Sequence, residues 1–102
     1  MDEFRSLLKT ADPKLRKHKG GGSQNYTVWH PYRRTGLSAD GEQVETVWKV
    51  QVDRFTKLDT DPMIAAIDTV LLGSDDICMA DYQIDYEQDT GYIHHIWDCE
   101  VV

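Results

Sequence analysis

The residues with the richest chemical repertoire are His94, His95, Asp98 and Cys99, joined by His30 and a series of carboxylates. Imidazole, carboxylate and thiolate are the ligand types of zinc and other soft divalent metals. In an extended strand, however, His94 and Asp98 share one face while His95 and Cys99 share the other. The four cannot converge without distant ligands, so they read as cross-strand or interface residues and not as a metal site. His30 is placed to meet a carboxylate across a sheet as a structural hydrogen bond. His30, His94 and a carboxylate would serve a small enzyme only if a pocket brought them together. Asp81, Asp85 and Glu87, with Gln83 among them, point outward from a regular strand. Paired carboxylates divide acid and base roles only at a suitable separation, which a linear pattern does not supply. Asp59, Asp61, Asp75 and Asp76 lack EF-hand spacing and fit caps and turns. No GxSxG, HExxH or nucleotide fingerprint falls on the element it requires. The reading is of a non-enzyme with no cofactor.

The elements that must position these groups follow from periodicity. Phe4, Leu7, Leu8 and Ala11 recur at helical spacing and predict a short amphipathic helix stopped near Pro13. A basic run, Lys14-Leu15-Arg16-Lys17-His18-Lys19, leads into Gly20-Gly21-Gly22-Ser23, a joint that lacks the GK[ST] ending of a phosphate loop. Tyr26 to Tyr32 reads as a first strand with Tyr26, Val28, His30 and Tyr32 on one face, and Pro31 argues for an edge position. Arg33 to Gln43, with Gly36 and Asp40-Gly41, reads as a polar turn or open hairpin loop. Val44, Thr46, Trp48, Val50 and Val52 then alternate with Glu45, Val47, Lys49, Gln51 and Asp53. Phe55 falls out of phase, which predicts a twist or bulge there.

Asp61-Pro62 starts a second helix, whose apolar stripe is Met63, Ala66, Ile67, Val70 and Leu71 and whose stop is Gly73. Cys78, Ala80, Tyr82, Ile84 and Tyr86 alternate with Met79, Asp81, Gln83, Asp85 and Glu87, and the turn Glu87–Gly91 returns the chain into Tyr92–Val102. The order α-β-β-α-β-β predicts an α+β fold, a four-stranded antiparallel sheet with helices packed on one face. The organisation read from this is a helix and basic glycine-rich segment over 1–23 and a single α+β domain over 24–102. Cys78 and Cys99 form no CxxC unit and read as small buried hydrophobes of a reducing compartment.

The chain has 102 residues, 40% of them apolar, and a net charge of -7. That length implies one core and a radius of gyration of about 13 Å. Residues 1–34 carry eight Lys/Arg against three Asp/Glu, and residues 35–102 carry three against fifteen. From Leu58 onward there is no Lys or Arg, so a phosphate-rich partner is repelled by most of the body. A nucleic-acid-binding or regulatory protein working through Lys14–Lys19 is the alternative class. The separated signs also allow neighbouring copies to attract each other. No run approaches the ~18 apolar residues of a membrane span, and the expectation is a soluble intracellular product. Trp29, Trp48 and Trp97, with Tyr26, Tyr32, Tyr82, Tyr86 and Tyr92, divide between core packing and subunit contacts.

Trp48–Lys57 (WKVQVDRFTK), Asp61–Ile67 (DPMIAAI) and Tyr82–Tyr92 (YQIDYEQDTGY) give residues 26–102 a resemblance to small tail-terminator or tail-completion proteins of tailed bacteriophages and prophages. The resemblance implies a mixed α/β subunit of a ring, often a hexamer, that stops growth of the tail tube at its head-proximal end and docks the head connector. It implies self-association, a tail-tube partner and a head-connector partner, no membrane or nucleic acid, and residence in the virion neck after assembly in the bacterial cytoplasm. Related head–tail connectors and minor tail proteins share the architecture. On this resemblance Arg33 and Arg34, then Tyr32 and Trp29, are the interface candidates, with Phe4, Leu7 and Leu8 either reinforcing such contacts or packing within the chain.

Overall fold

The computed structural model describes residues 1–17, 25–39 and 42–102, and the side chains of 1–15, 25–36 and 46–102. In chain order the elements are helix α1 (Asp2–Ala11), β1 (Arg16–Lys17), β2 (Tyr26–Ala39), β3 (Glu42–Thr56), helix α2 (Pro62–Leu72), β4 (Ile77–Tyr86) and β5 (Ile93–Val101). The sheet order is β1-β2-β3-β5-β4. The four long strands pair antiparallel, as the α-β-β-α-β-β pattern predicts. The addition is β1, a two-residue strand running parallel to β2 through Arg16↔Val28 and Lys17↔Trp29.

Both helices lie over one face because that face holds the apolar half of each alternation. Trp29, Val52 and Trp97 occupy adjacent positions across three strands, with Val50 beside Cys99 and Trp48 beside Val101. Phe4 and Leu8 of α1 and Ile67 and Leu71 of α2 complete a single buried cluster with them. Complete burial of a Leu or Ile contributes about 1.5–3 kcal/mol, and Leu8 and Ile67 are both sealed from solvent. The segment 1–23 therefore shares the core of 24–102 through Phe4 and Leu8. The α2 boundaries agree with the sequence: Asp61 accepts from the Met63 amide at 3.0 Å, Pro62 opens the helix and Gly73 closes it. Gly91 adopts φ +77° in the β4–β5 turn, a left-handed conformation that other residues enter at a cost.

Three sequence expectations change. The predicted loop Arg33–Gln43 is mostly strand, with pairing from Arg34↔Trp48 out to Ala39↔Glu42; Asp40 and Gly41 lie outside the described residues. Glu42–Val47 have β2 as partner but no β5 residue opposite, so among the described residues this arm is two strands wide and needs no apolar alternation. The molecule is accordingly long, 51 × 25 × 19 Å with a radius of gyration of 14.9 Å, above the value for a compact chain of this length. Second, a register shift between Met79 and Asp81 leaves Ala80 as an extra residue. Ile77 and Met79 therefore pack on the core, whereas Cys78, expected to be buried, is exposed.

Third, no bulge interrupts the β3–β5 pairing at Phe55, which runs unbroken from Trp48↔Val101 to Thr56↔Ile93. The position in phase with Val50 and Val52 belongs to Arg54, buried beneath the helix ends. Its Nε donates to Asp61 Oδ2 at 2.9 Å, Nη1 donates to Thr27 Oγ1 at 3.2 Å, and Nη1 lies 3.5 Å from Asp12 Oδ2. Asp12 closes α1 and Asp61 caps α2, so one guanidinium locates both helices. Phe55 turns to the opposite face, stacked on Tyr26 and His94 with centroids 4.8 and 4.0 Å away.

Arg54→Met should destabilise the protein by about 3–5 kcal/mol, read from urea unfolding, because it leaves two buried carboxylates unpaired. Burial acts to raise the Asp61 carboxyl, but hydrogen bonds from the Met63 amide and Arg54 outweigh it and hold the group below its ordinary 3.8. Its stabilisation is present above that value and is lost as pH falls through the lower folded one. Unfolding free energy should therefore fall more steeply below about pH 4 for the parent chain than for Asp61→Asn.

Candidate functional site

Three surface regions carry the chemistry-bearing side chains: the sheet face turned away from the helices, the β2–β3 arm, and the β4 edge. On the first, Val28, Asp53 and Ile96 lie side by side on three strands. Asp53 is only 3% exposed because polar rings and an amide close over it. His94 Nε2 donates to Asp53 Oδ1 at 2.7 Å, Gln51 Nε2 donates to the same oxygen at 2.9 Å, and His30 Nδ1 lies 3.9 Å from Asp53 Oδ2. A carboxylate only accepts, so this contact places a proton on His94 Nε2. His94 Nδ1 in turn lies 3.6 Å from Glu87 Oε2.

This cluster unites His30, His94 and a carboxylate, the set an acid–base site would need. Both ring nitrogens of His94 face carboxylates, however, and the ring is stacked on Phe55. That is a cross-strand fastening, in which the carboxylate is satisfied and the imidazole immobilised. Along the same face Tyr32 donates to Asp98 at 3.1 Å and Lys49 to Glu100 at 3.2 Å. Partial burial and the adjoining Asp98 raise the Tyr32 phenol above its ordinary range. A cleft of about 190 Å³ lies elsewhere, lined by Phe4, Leu7, Ile77 and Val101 among others.

His95 and Cys99 occupy the helix side, opposite His94 and Asp98. His95 is pushed below the usual imidazole range by burial, so at neutral pH its Nδ1 is free of charge. Burial raises the Tyr82 phenol, and its hydroxyl shares a hydrogen bond of 2.6 Å with that nitrogen. Trp97 packs beside both rings and donates its indole proton to Asp68 Oδ1 on α2 at 2.8 Å. Beyond this pair on β4, Ile84 is exposed and Tyr86 73% exposed. Among the described residues no three of His, Cys, Asp and Glu are grouped as metal ligands.

The interface candidates divide. Phe4, Leu8 and Trp29 belong to the chain's own core, with the Phe4 and Trp29 rings 5.6 Å apart, so burial removes them from any contact surface. Leu7 is half-buried, while Tyr32, Arg33 and Arg34 are exposed. Tyr32 is the extra residue at a register shift between Pro31 and Arg33, where the arm leaves the body, and the Arg34 guanidinium lies 5.6 Å from the Trp48 ring centroid. Lys14 is exposed, Arg16 and Lys17 form β1, and His18 to Ser23 lie outside the described residues. The sequence reading missed Asp53 as the centre of the histidine cluster. It stands diagonal to both histidines, two residues from Gln51, which pairs with His30, and two from Phe55, which pairs with His94, a relation hidden because a carboxylate in the polar half of an alternation reads as solvated.

Scans of the chain against protein-family models and against curated protein sequences gave no match.

The two thiols should behave differently. Burial pushes Cys99 up to about 12, whereas Cys78 is exposed. In a dilute native sample a thiol reagent at pH 8 should titrate one group per chain, and a second only after denaturation. Rapid native reaction of both would contradict the buried placement of Cys99.

Proposed function

We propose that the chain is a structural subunit of a bacteriophage or prophage tail, self-associating as a hexameric ring that caps the tail tube at its head-proximal end and presents a docking surface to the head connector. Its work is assembly, without bond chemistry or a cofactor, in the virion neck after assembly in the bacterial cytoplasm. The resemblance of residues 26–102 supports this reading, since the three segments that carry it are β3, the first part of α2 and the β4–β5 hairpin.

The observation that carries the reading is the arm. Arg33 and Arg34 sit on β2 where β2 and β3 leave the body as a projection beyond Trp48, while β4, at the other end of the sheet order, contains Asp81 and Asp85 and no Lys or Arg. An arm that projects from the body with two arginines at its root, and an acidic strand at the far side of the sheet, suit repeated contact between like subunits and with a tube end. The histidine cluster, with both His94 nitrogens facing carboxylates, supports the same reading over acid–base catalysis.

Native mass measurement alone and with the candidate tail-tube protein, with negative-stain imaging, should give a six-subunit species or rings at tube ends. A chain that neither caps tubes nor binds the connector would overturn the proposal. Salt-sensitive DNA binding lost on neutralising Lys14, Arg16, Lys17 and Lys19 would instead favour a nucleic-acid-binding protein.

A further inference from the structure

We infer that the outer edge of β4 over Tyr82–Tyr86 receives an extended segment of another protein, added as a further strand, in which Lys or Arg residues alternate with apolar ones. The contact uses neither the arm nor a ring of copies, so it stands or falls apart from the tail reading.

β4 ends the sheet order, and among the described residues its one strand neighbour is β5. β1 and β2, whose connection includes the undescribed residues 18–24, stand at the opposite end of that order. Across the β4–β5 hairpin the Glu87 amide donates to the Tyr92 carbonyl at 2.9 Å. Backbone groups alternate sides along a strand, and the pairing is regular from Asp81↔Asp98 to Tyr86↔Ile93. The amides and carbonyls of Tyr82, Ile84 and Tyr86 therefore face away from β5. In keeping with that phase, the Tyr82 amide donates to Asp81 Oδ1 at 2.9 Å. That contact and the register shift at Ala80 close the edge on the Ile77 side, and the groups of Ile84 and Tyr86 are what an added strand would complete. Proteins commonly guard such edges with Lys or Pro, and β4 has neither.

The two faces of β4 dictate the partner. Tyr82, Ile84 and Tyr86, opposite Trp97, His95 and Ile93, share the helix side and are all exposed. Asp81, Gln83 and Asp85, opposite Asp98, Ile96 and His94, share the other side. The residues of an added strand pair directly with these two rows, so one of its faces must be apolar and the other must meet carboxylates. Asp81 already stands opposite Asp98, a like-charge pair, and the hydrogen bond that Asp98 accepts comes from the uncharged Tyr32 phenol. Neither β4 nor β5 contains a Lys or Arg to offset them. A cation on the incoming strand supplies that missing charge. A second copy of β4 does not, because two-fold pairing gathers the Asp81 and Asp85 of both copies on one face. A nucleic acid would bring phosphates to the same carboxylates. A polypeptide with Lys or Arg at alternate positions and Val, Ile or aromatic residues between them satisfies both faces at once.

The test uses the full chain and a labelled synthetic peptide of about eight residues that alternates Lys with Val. Fluorescence anisotropy reads binding, and amide hydrogen exchange by NMR reads its place. In the free chain the Ile84 and Tyr86 amides should exchange faster than those of Gln83 and Asp85, and the peptide should slow them. A peptide of the same composition with Lys and Val in separate blocks should bind about tenfold more weakly or worse. D81K/D85K should lose the Lys peptide by about tenfold or more and take up one that alternates Glu with Val. Ile84→Pro, which removes an outward amide and no bond to β5, should also weaken binding, with circular dichroism melts showing both variants folded. A parent chain that does not bind the alternating peptide overturns the inference, as does equal binding of the blocked peptide or binding that leaves Ile84 and Tyr86 exchange unchanged. Exchange at these amides that slows with chain concentration alone would assign the edge to a second copy and overturn the choice of partner. Peptide binding by a chain that caps no tube would sink the tail reading and leave this contact standing. Capping by a chain that ignores the peptide would do the reverse.

Discussion

A guanidinium buried between two helices and a sheet is stable only if its charge is met on every side, and Arg54 imposes that condition here. Asp12 and Asp61 answer it, and each also closes or opens a helix. Helix placement, the β2–β3 pairing through Thr27 and the approach of α1 to α2 are thus tied to one ion-pair network. The apolar cluster above it supplies most of the burial, but hydrophobic packing is non-directional. The network fixes where the two helix ends sit over the sheet.

The other face is organised by a second buried charge, Asp53, answered by His94, Gln51 and His30. The two sites lie on adjacent residues of β3 and point to opposite faces. One locks the helices down and the other ties three strands together laterally. Neither leaves the surface chemically busy, so the distinctive exposed features are geometric: a long arm and the exposed Tyr82, Ile84 and Tyr86 of β4.

Much of this was legible in the sequence. The α2 boundaries follow from Asp61-Pro62 and Gly73, the β4–β5 turn from Gly91, and the sheet from the alternation of Val50 and Val52 with Gln51 and Asp53. What escaped was any feature set by long-range partners. Arg54 looks like a surface residue until Asp12, 42 residues away, is placed beside it. The face of Cys78 was inverted because one extra residue at Ala80 reverses a period of two. The arm read as a loop because Arg33–Gln43 carries Gly36 and Asp40-Gly41 and no apolar alternation. Of the candidate interface, exposure of Tyr32, Arg33 and Arg34 could be read from polarity and turn composition, while Phe4, Leu8 and Trp29 could not be assigned until the core was assembled.

The place of β5 in the sheet governs how the fold is reached. It lies between β3 and β4 in space but follows both in the chain. The β2–β3 hairpin closes through local contacts, whereas β3–β5 pairing must bring Trp48 to Val101 across the whole of α2 and β4. Loop-closure entropy makes that step the slow one, and until it occurs β3 lacks one neighbour and the β4–β5 hairpin, closed by its own local turn, stands apart from the β2–β3 hairpin. A nascent chain therefore passes through a stage in which α2 and β4 exist without the strand that joins them to the hairpin. The order of synthesis runs against the order of assembly, and the exposed Tyr82-Ile84-Tyr86 row is then at its most vulnerable to the wrong partner.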